Sequence, residues 1–211
     1  MPRAESPLDA GGVSNSAYRN VALGFSCKIP AGWVLRTEEM NAGEMDRTAA
    51  EESAVVTQGT SSAHEDKSRA ALGTADGGCS HTCGRVLLAA FSRPPEARAE
   101  DVNSSILIAA ESVAAYPGLK DAVQYFGPLT EVAKAQGFTA VGEPYDFQVG
   151  TKALVRGDFQ KNVGTRMMRQ ATLVKLARGY AVSFTFIGGT EDELEELVQG
   201  LSIVGPGKVG R

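Results

Sequence analysis

Histidine is scarce in this chain of 211 residues: there are two, His64 and His81. A Ser/His/Asp or Cys/His mechanism needs a histidine fixed on a rigid element. Both lie in or beside a polar, loosely patterned stretch, which argues against a hydrolase of that kind. Cysteine is sparse too. Cys27, Cys79 and Cys83 are odd in number and too few for a disulfide framework. No Lys/Arg run occurs and the formal net charge is −4. Nucleic acid and anionic membrane surfaces need concentrated positive charge, so neither is an expected partner. No apolar run approaches the ~20 residues that cross a bilayer. The patterns GxGxxG, P-loop, GxSxG and HExxH are all missing. The first residues hold no apolar h-region, so no signal peptide is expected in this chain. A cytoplasmic protein fits, and so does a periplasmic or extracellular one whose leader has been removed.

What is present points to one globular domain. Hydrophobic residues make up 43% of the chain, an ordinary share that supplies a core. Residues 1–17 are rich in Pro, Ser, Gly and Ala without an apolar period, and read as a disordered lead. The domain is expected over 18–203, with a long insertion at 36–83 and a loose tail at 204–211. From Leu23 to Ile29 the apolar residues Phe25, Cys27 and Ile29 alternate with small or polar ones, the period of a strand. Arg85 to Ser92 and Ser105 to Val113 are short apolar runs bounded by turn formers, which predicts two buried strands. Leu119 to Gln136 has helical spacing, and Gly127-Pro128 inside it predicts a kink or two short helices. Thr139 to Ile187 reads as an antiparallel meander of four strands. Its turns are expected at Gly150-Thr151, at Lys161-Asn162-Val163-Gly164 and at Arg178-Gly179. Thr190 with Glu193 is a capping box for a last helix whose apolar stripe is Leu194, Leu197, Val198 and Leu201.

The opening Gly24-Phe25-Ser26, Pro30 and Gly32-Trp33, followed by this order of elements, resembles PsbP-like domains. These include the extrinsic photosystem II subunit, bacterial DcrB-type and lipoprotein-type domains, and Ran-binding nuclear-import factors. The similarity covers residues 18–35 and 84–203; the 36–83 stretch is far longer than the usual connection. The resemblance implies an α+β fold, a three-layer α/β/α sandwich around an antiparallel sheet. It also implies a binding or assembly protein without enzymatic chemistry, with an as yet unknown protein partner. Bacterial members are commonly exported. No ligand residues of the family match here, so none are carried over.

Two constellations could carry chemistry. His64, Cys79, His81 and Cys83 fall within 20 positions, and Cys and His are ligands that zinc and copper prefer. The spacing lacks the C-x₂-C pair of structural zinc sites. A small-loop disulfide between Cys79 and Cys83, a bridge from one of them to Cys27, and plain thiols are the competing readings. Otherwise no cofactor is expected. The second constellation comes from strand register. Pairing outward from the expected turns sets Tyr145 opposite Arg156 and Glu143 opposite Asp158. It also sets Arg156 opposite Arg169 and Asp158 opposite Met167. Two facing guanidiniums want anions. Either Glu143 and Asp158 supply them in a structural ion network, or Tyr145, Arg156 and Arg169 hold an anionic ligand.

The leading expectation is a non-enzymatic binding or assembly module, more readily exported than not. A metal-binding protein built on the insertion is the alternative, and a hydrolase comes third.

Overall fold

The computed structural model describes residues 8–42, 84–97 and 102–204. In chain order the strands are β1 (Gly12–Ser14), β2 (Ala17–Asn20), β3 (Phe25–Lys28) and β4 (Val34–Leu35), and residues 37–42 open a helix, α1. Then come β5 (Gly84–Phe91), β6 (Ser105–Ser112), α2 (Phe126–Ala135), β7 (Thr139–Val149), β8 (Lys152–Val163), β9 (Arg166–Ala177), β10 (Tyr180–Gly188), α3 (Glu191–Gln199) and β11 (Leu201–Ile203). The chain is mostly antiparallel sheet with few helices. Where one sheet was expected there are two: a seven-stranded one in the order β4-β5-β6-β10-β9-β8-β7 and a four-stranded one in the order β1-β2-β3-β11.

The central strands of the large sheet are buried on both faces. Leu173 and Val174 are neighbours on β9, point opposite ways, and are both fully buried. On the Leu173 side lie Phe184, Phe186, Ile106 and Ile108, packed beneath Leu194, Leu197 and Val198 of α3 and beneath Tyr18, Phe25 and Cys27 of the small sheet. Phe25 meets Phe184 edge-on at 4.8 Å and 88°, an arrangement that aromatic quadrupoles favour. On the Val174 side, Val155, Phe159 and Ala181 pack against Tyr125, Phe126 and Ala133. Gly157 lies between Val155 and Phe159, where a Cβ would stand 2.5 Å from Phe126 Cε1. Its missing side chain is therefore the seat of the Phe126 ring.

Several expectations change for identifiable reasons. The stretch read as a disordered lead carries β1 and the start of β2. Tyr18 and Asn20 are inward residues there; the Tyr18 hydroxyl donates to Ala10 O at 2.6 Å and Asn20 Nδ2 to Asp9 O at 2.8 Å. Pro128 does not kink a helix. It falls in the first turn of α2, where a missing N–H leaves no intrahelical bond unmade. The β8–β9 turn is the two-residue Gly164-Thr165, with Val163 opposite Arg166, rather than four residues. Gly164 has φ +61°, as the first position of a type II′ turn demands. In β7, the ladder is irregular between Val141 and Tyr145, where Gly142 has φ +77°. Such a bulge re-aims the strand. The expected cap of α3 is present: Thr190 Oγ1 accepts from Glu193 N at 3.2 Å. The Glu193 carboxylate reaches the Gly189 N–H and the Ser104 hydroxyl, tying the helix start to the chain before β6.

The start of the stretch read as an insertion protects the sheet edge beyond the two-residue β4. Thr37 Oγ1 accepts from Ala89 N at 3.0 Å, and Asn41 exchanges two hydrogen bonds with the Val86 main chain. An uncovered edge invites pairing with other chains, and these side chains take the place of a strand.

Two alanine substitutions should move stability in opposite directions. Gly157→Ala should cost about 1–3 kcal/mol, because the Phe126 ring must leave its seat. Gly127→Ala, inside α2 with nothing within 4 Å of its added Cβ, should stabilise by about 0.5–1 kcal/mol through helix propensity. Urea denaturation of the two variants measures both.

Candidate binding cleft

The β8–β9 ladder ends early. β8 begins at Lys152, opposite Val149 of β7, and β9 runs to Ala177, opposite Tyr180 of β10. Between β8 and β9, however, pairing starts only at Val155 and Val174. The pairs Leu154–Lys175, Ala153–Leu176 and Lys152–Ala177 are not made, so the strands part over their last three residues. A cavity of about 420 Å³ opens there. Leu154, Val155, Val174 and Leu176 form its walls, with Ala122 and the Ile203-Val204 end of the small sheet against them. Lys152, Lys175 and Asp146 are its charged groups.

Lys175 has the same strand parity as Leu173, so its stem runs toward the core face. Its Nζ donates to Leu23 O at 3.0 Å. Next door, Val204 N donates to Gly24 O at 3.0 Å, and a Cβ on Gly24 would sit 2.7 Å from Val204 O. Gly24 has φ +70°, so both its backbone and its bare Cα let the end of β11 close over the turn. Burial holds the Lys175 ammonium below the ordinary lysine value, and the charge of Lys152 adds to the shift.

The Tyr145–Arg156 pairing is as expected, and the rest of that constellation is rearranged. Arg156 faces Leu173, not Arg169; Arg169 faces Gln160 on one side and Gly188 on the other. The shorter turn slides β9 by four residues, about 13 Å between Leu173 and Arg169. Arg169 Nη1 donates instead to Gly189 O at 3.3 Å. Asp158 faces Val141 and Ala171 in place of Glu143 and Met167. Arg156 is nine-tenths buried and paired with two carboxylates: Nε donates to Asp158 Oδ1 at 2.9 Å, Nη2 donates to Glu195 of α3, and the guanidinium lies 4.9 Å from the Phe147 ring centre. The Tyr145 hydroxyl donates to Asp158 Oδ2 at 2.9 Å. Burial works against the Arg156 charge, but the bonds to Glu195 and Asp158 more than offset it and hold the guanidinium above its usual value. This cluster latches α3 to the corner of β7 and β8. Its two carboxylates stand where an anion would have to bind.

His64, Cys79, His81 and Cys83 lie outside the described residues. Cys27 is a free thiol, fully buried, and burial pushes its pKa up to about 12. The bridge from Cys27 to an insertion cysteine is therefore not made: Cys27 belongs to the inward face of β3, between Tyr18 and Leu201. Two features were missed in sequence. Glu195 reads as a solvent-facing helix position. Lys175 was signalled by its parity: a lysine in step with Leu173 on a strand whose inward face is apolar.

The latch has a measurable consequence. Glu195→Gln should cost about 1–2 kcal/mol, since it leaves a buried guanidinium short of one charged partner. In the Arg156→Met/Glu195→Gln double variant part of that loss should return. Urea denaturation of the double-mutant cycle gives the coupling.

No family model and no curated protein matches this sequence. Among solved structures, the fold is similar to a protein of Bacteroides thetaiotaomicron VPI-5482, with a TM-score of 0.37 and 12% identity over 93% of this chain. This chain spans about half, 51%, of that protein's length. It is also similar to LpqN, involved in cell envelope biogenesis of Mycobacterium tuberculosis, with a TM-score of 0.32 and 13% identity, covering 58% of this chain and 79% of LpqN.

Proposed function

We propose that this chain is a non-enzymatic binding or assembly module of PsbP-like fold, and that it works outside the cytoplasm. The observation that carries the reading is the cleft between β8 and β9. It is concave, its walls are aliphatic, and its charged groups are few. Its volume of about 420 Å³ falls within the ~300–1,000 Å³ of small-molecule sites, which are commonly apolar with a few placed polar groups. The three-layer α/β/α arrangement is supported by α2 packing on one face of the large sheet and α3 on the other. Export is supported only by the resemblance of the Gly24 to Trp33 segment. An assembly role would use β7, the outer strand, where Val141 and Tyr145 are exposed.

The test is binding of a neutral apolar fluorophore, N-phenyl-1-naphthylamine, to the full chain. Ala122 and Ala153 line the cleft with small side chains. The wild type should enhance its fluorescence, and Ala122→Trp/Ala153→Trp should weaken binding at least ~10-fold by filling the cavity, equivalent to about 1.4 kcal/mol. Val141→Lys, on the outer strand, should leave it unchanged. Equal binding by the filled variant, with its circular dichroism intact, would remove the cleft as the binding site.

A further inference from the structure

The positive and negative groups of the cleft lie on opposite faces of the sheet. Strand register places each charged group. Lys152 is opposite Val149 and Leu154 opposite Phe147, on the face that bears α3 and the small sheet; Lys175 shares that face with Leu173. Asp146 is opposite Val155, whose side chain belongs to the other face. The one carboxylate in the cavity lining thus lies across the sheet from both lysines. Among the described residues neither lysine is in an ion pair. The Lys175 ammonium spends one N–H on Leu23 O, and an ammonium has three. The exposed Lys152 and the half-buried Lys175 therefore line the same face of the cleft, with N–H donors to spare and no ion-pair partner among the described residues.

Resting on the binding reading above, we infer that the ligand of this cleft is a small anionic amphiphile. Its apolar body lies between Leu154, Val155, Val174 and Leu176, and its anionic end sits at Lys152 and Lys175. An anion there relieves the repulsion between the two ammoniums and takes up their remaining N–H donors in charge-assisted hydrogen bonds. The walls are aliphatic, and Asp146, the one carboxylate of the lining, lies on the other face of the sheet. Burial and Lys152 lower the Lys175 pKa, whereas a bound anion favours the charged ammonium. Affinity should fall as pH rises through the lowered Lys175 value, before the ordinary lysine range is reached.

Displacement of N-phenyl-1-naphthylamine from the full chain by decanoate, decanamide and decyltrimethylammonium tests this. Decanoate should displace the probe at least ~10-fold more tightly than decanamide, with the cation weakest. Lys152→Glu should remove the preference for decanoate over decanamide. The decanoate advantage should shrink between pH 7 and pH 10 in the wild type. Equal displacement by decanoate and decanamide, with the probe still bound, would overturn the anionic assignment and leave the cleft reading standing. No probe binding at all would sink both. Tighter binding of a leucine-rich tripeptide with a free C-terminus than of decanoate would overturn the small amphiphile in favour of a polypeptide end.

Discussion

Leu173 and Val174 cannot both be buried unless each face of the large sheet has a cover, and the rest of the fold follows from that requirement. The same holds on β10, where Ala181 and Val182 are both fully buried and belong to opposite clusters. Strands of this kind usually sit between helices. Here two helices do not suffice for seven strands. The α3 side is completed by a second sheet, attached through the edge contact of Phe25 with Phe184. The other side is completed by the segment leading into α2, where Tyr116 and Tyr125 pack ring against ring at 5.2 Å. Close approach is bought by absent side chains. Gly157 admits Phe126 on one face, and Gly24 admits the end of β11 near the other.

Much of this is legible in sequence because it depends on local rules. Period-two alternation from Phe25 to Ile29, the turn pairs Gly150-Thr151 and Arg178-Gly179, and the Thr190 to Glu193 cap all act over a few residues. The failures are of two kinds. In Lys161 to Thr165 several turns are compatible with the same composition, and only the positive φ of Gly164 selects the two-residue one. That single choice decided whether Arg156 met Arg169 or Leu173. In residues 8–20 the signal is weak because the strands are short and one is wholly exposed. Their turn runs through Asn15 and Ser16, both with positive φ. Asn tolerates that conformation well enough to have marked a turn, but nothing local shows that Tyr18 faces a core completed by strands as distant as β10.

The sites divide along the same line. Tyr145, Arg156 and Asp158 come together because they are near neighbours on one hairpin, so their grouping could be read from the turn between β7 and β8. The fourth member, Glu195, arrives from α3, and a helix position cannot be matched to a strand position without the packing angle. Adding Glu195 changes the meaning of the group. With Asp158 alone, the group would be neutral and local to one hairpin; with both carboxylates it carries net negative charge, which disfavours an anion, and it ties α3 to the sheet.

Lys175 is the converse case, a charged residue at an inward position that the fold leaves partly unmatched. Even partial burial of a lysine is costly unless something compensates it, and the Leu23 carbonyl compensates with only one bond. Continuing the β8–β9 ladder by one pair would set Leu154 against Lys175 and close the space beside the ammonium. The ladder stops there instead, which leaves the ammonium beside open, aliphatic walls and within the field of Lys152. Asp146 could have neutralised the pair from β7, but strand parity sends it to the opposite face. A structural role alone would be served by Lys175 and Leu23. The second lysine, exposed on the same face, adds repulsion and no bond among the described residues, and an anion held by the two is the arrangement that offsets that repulsion.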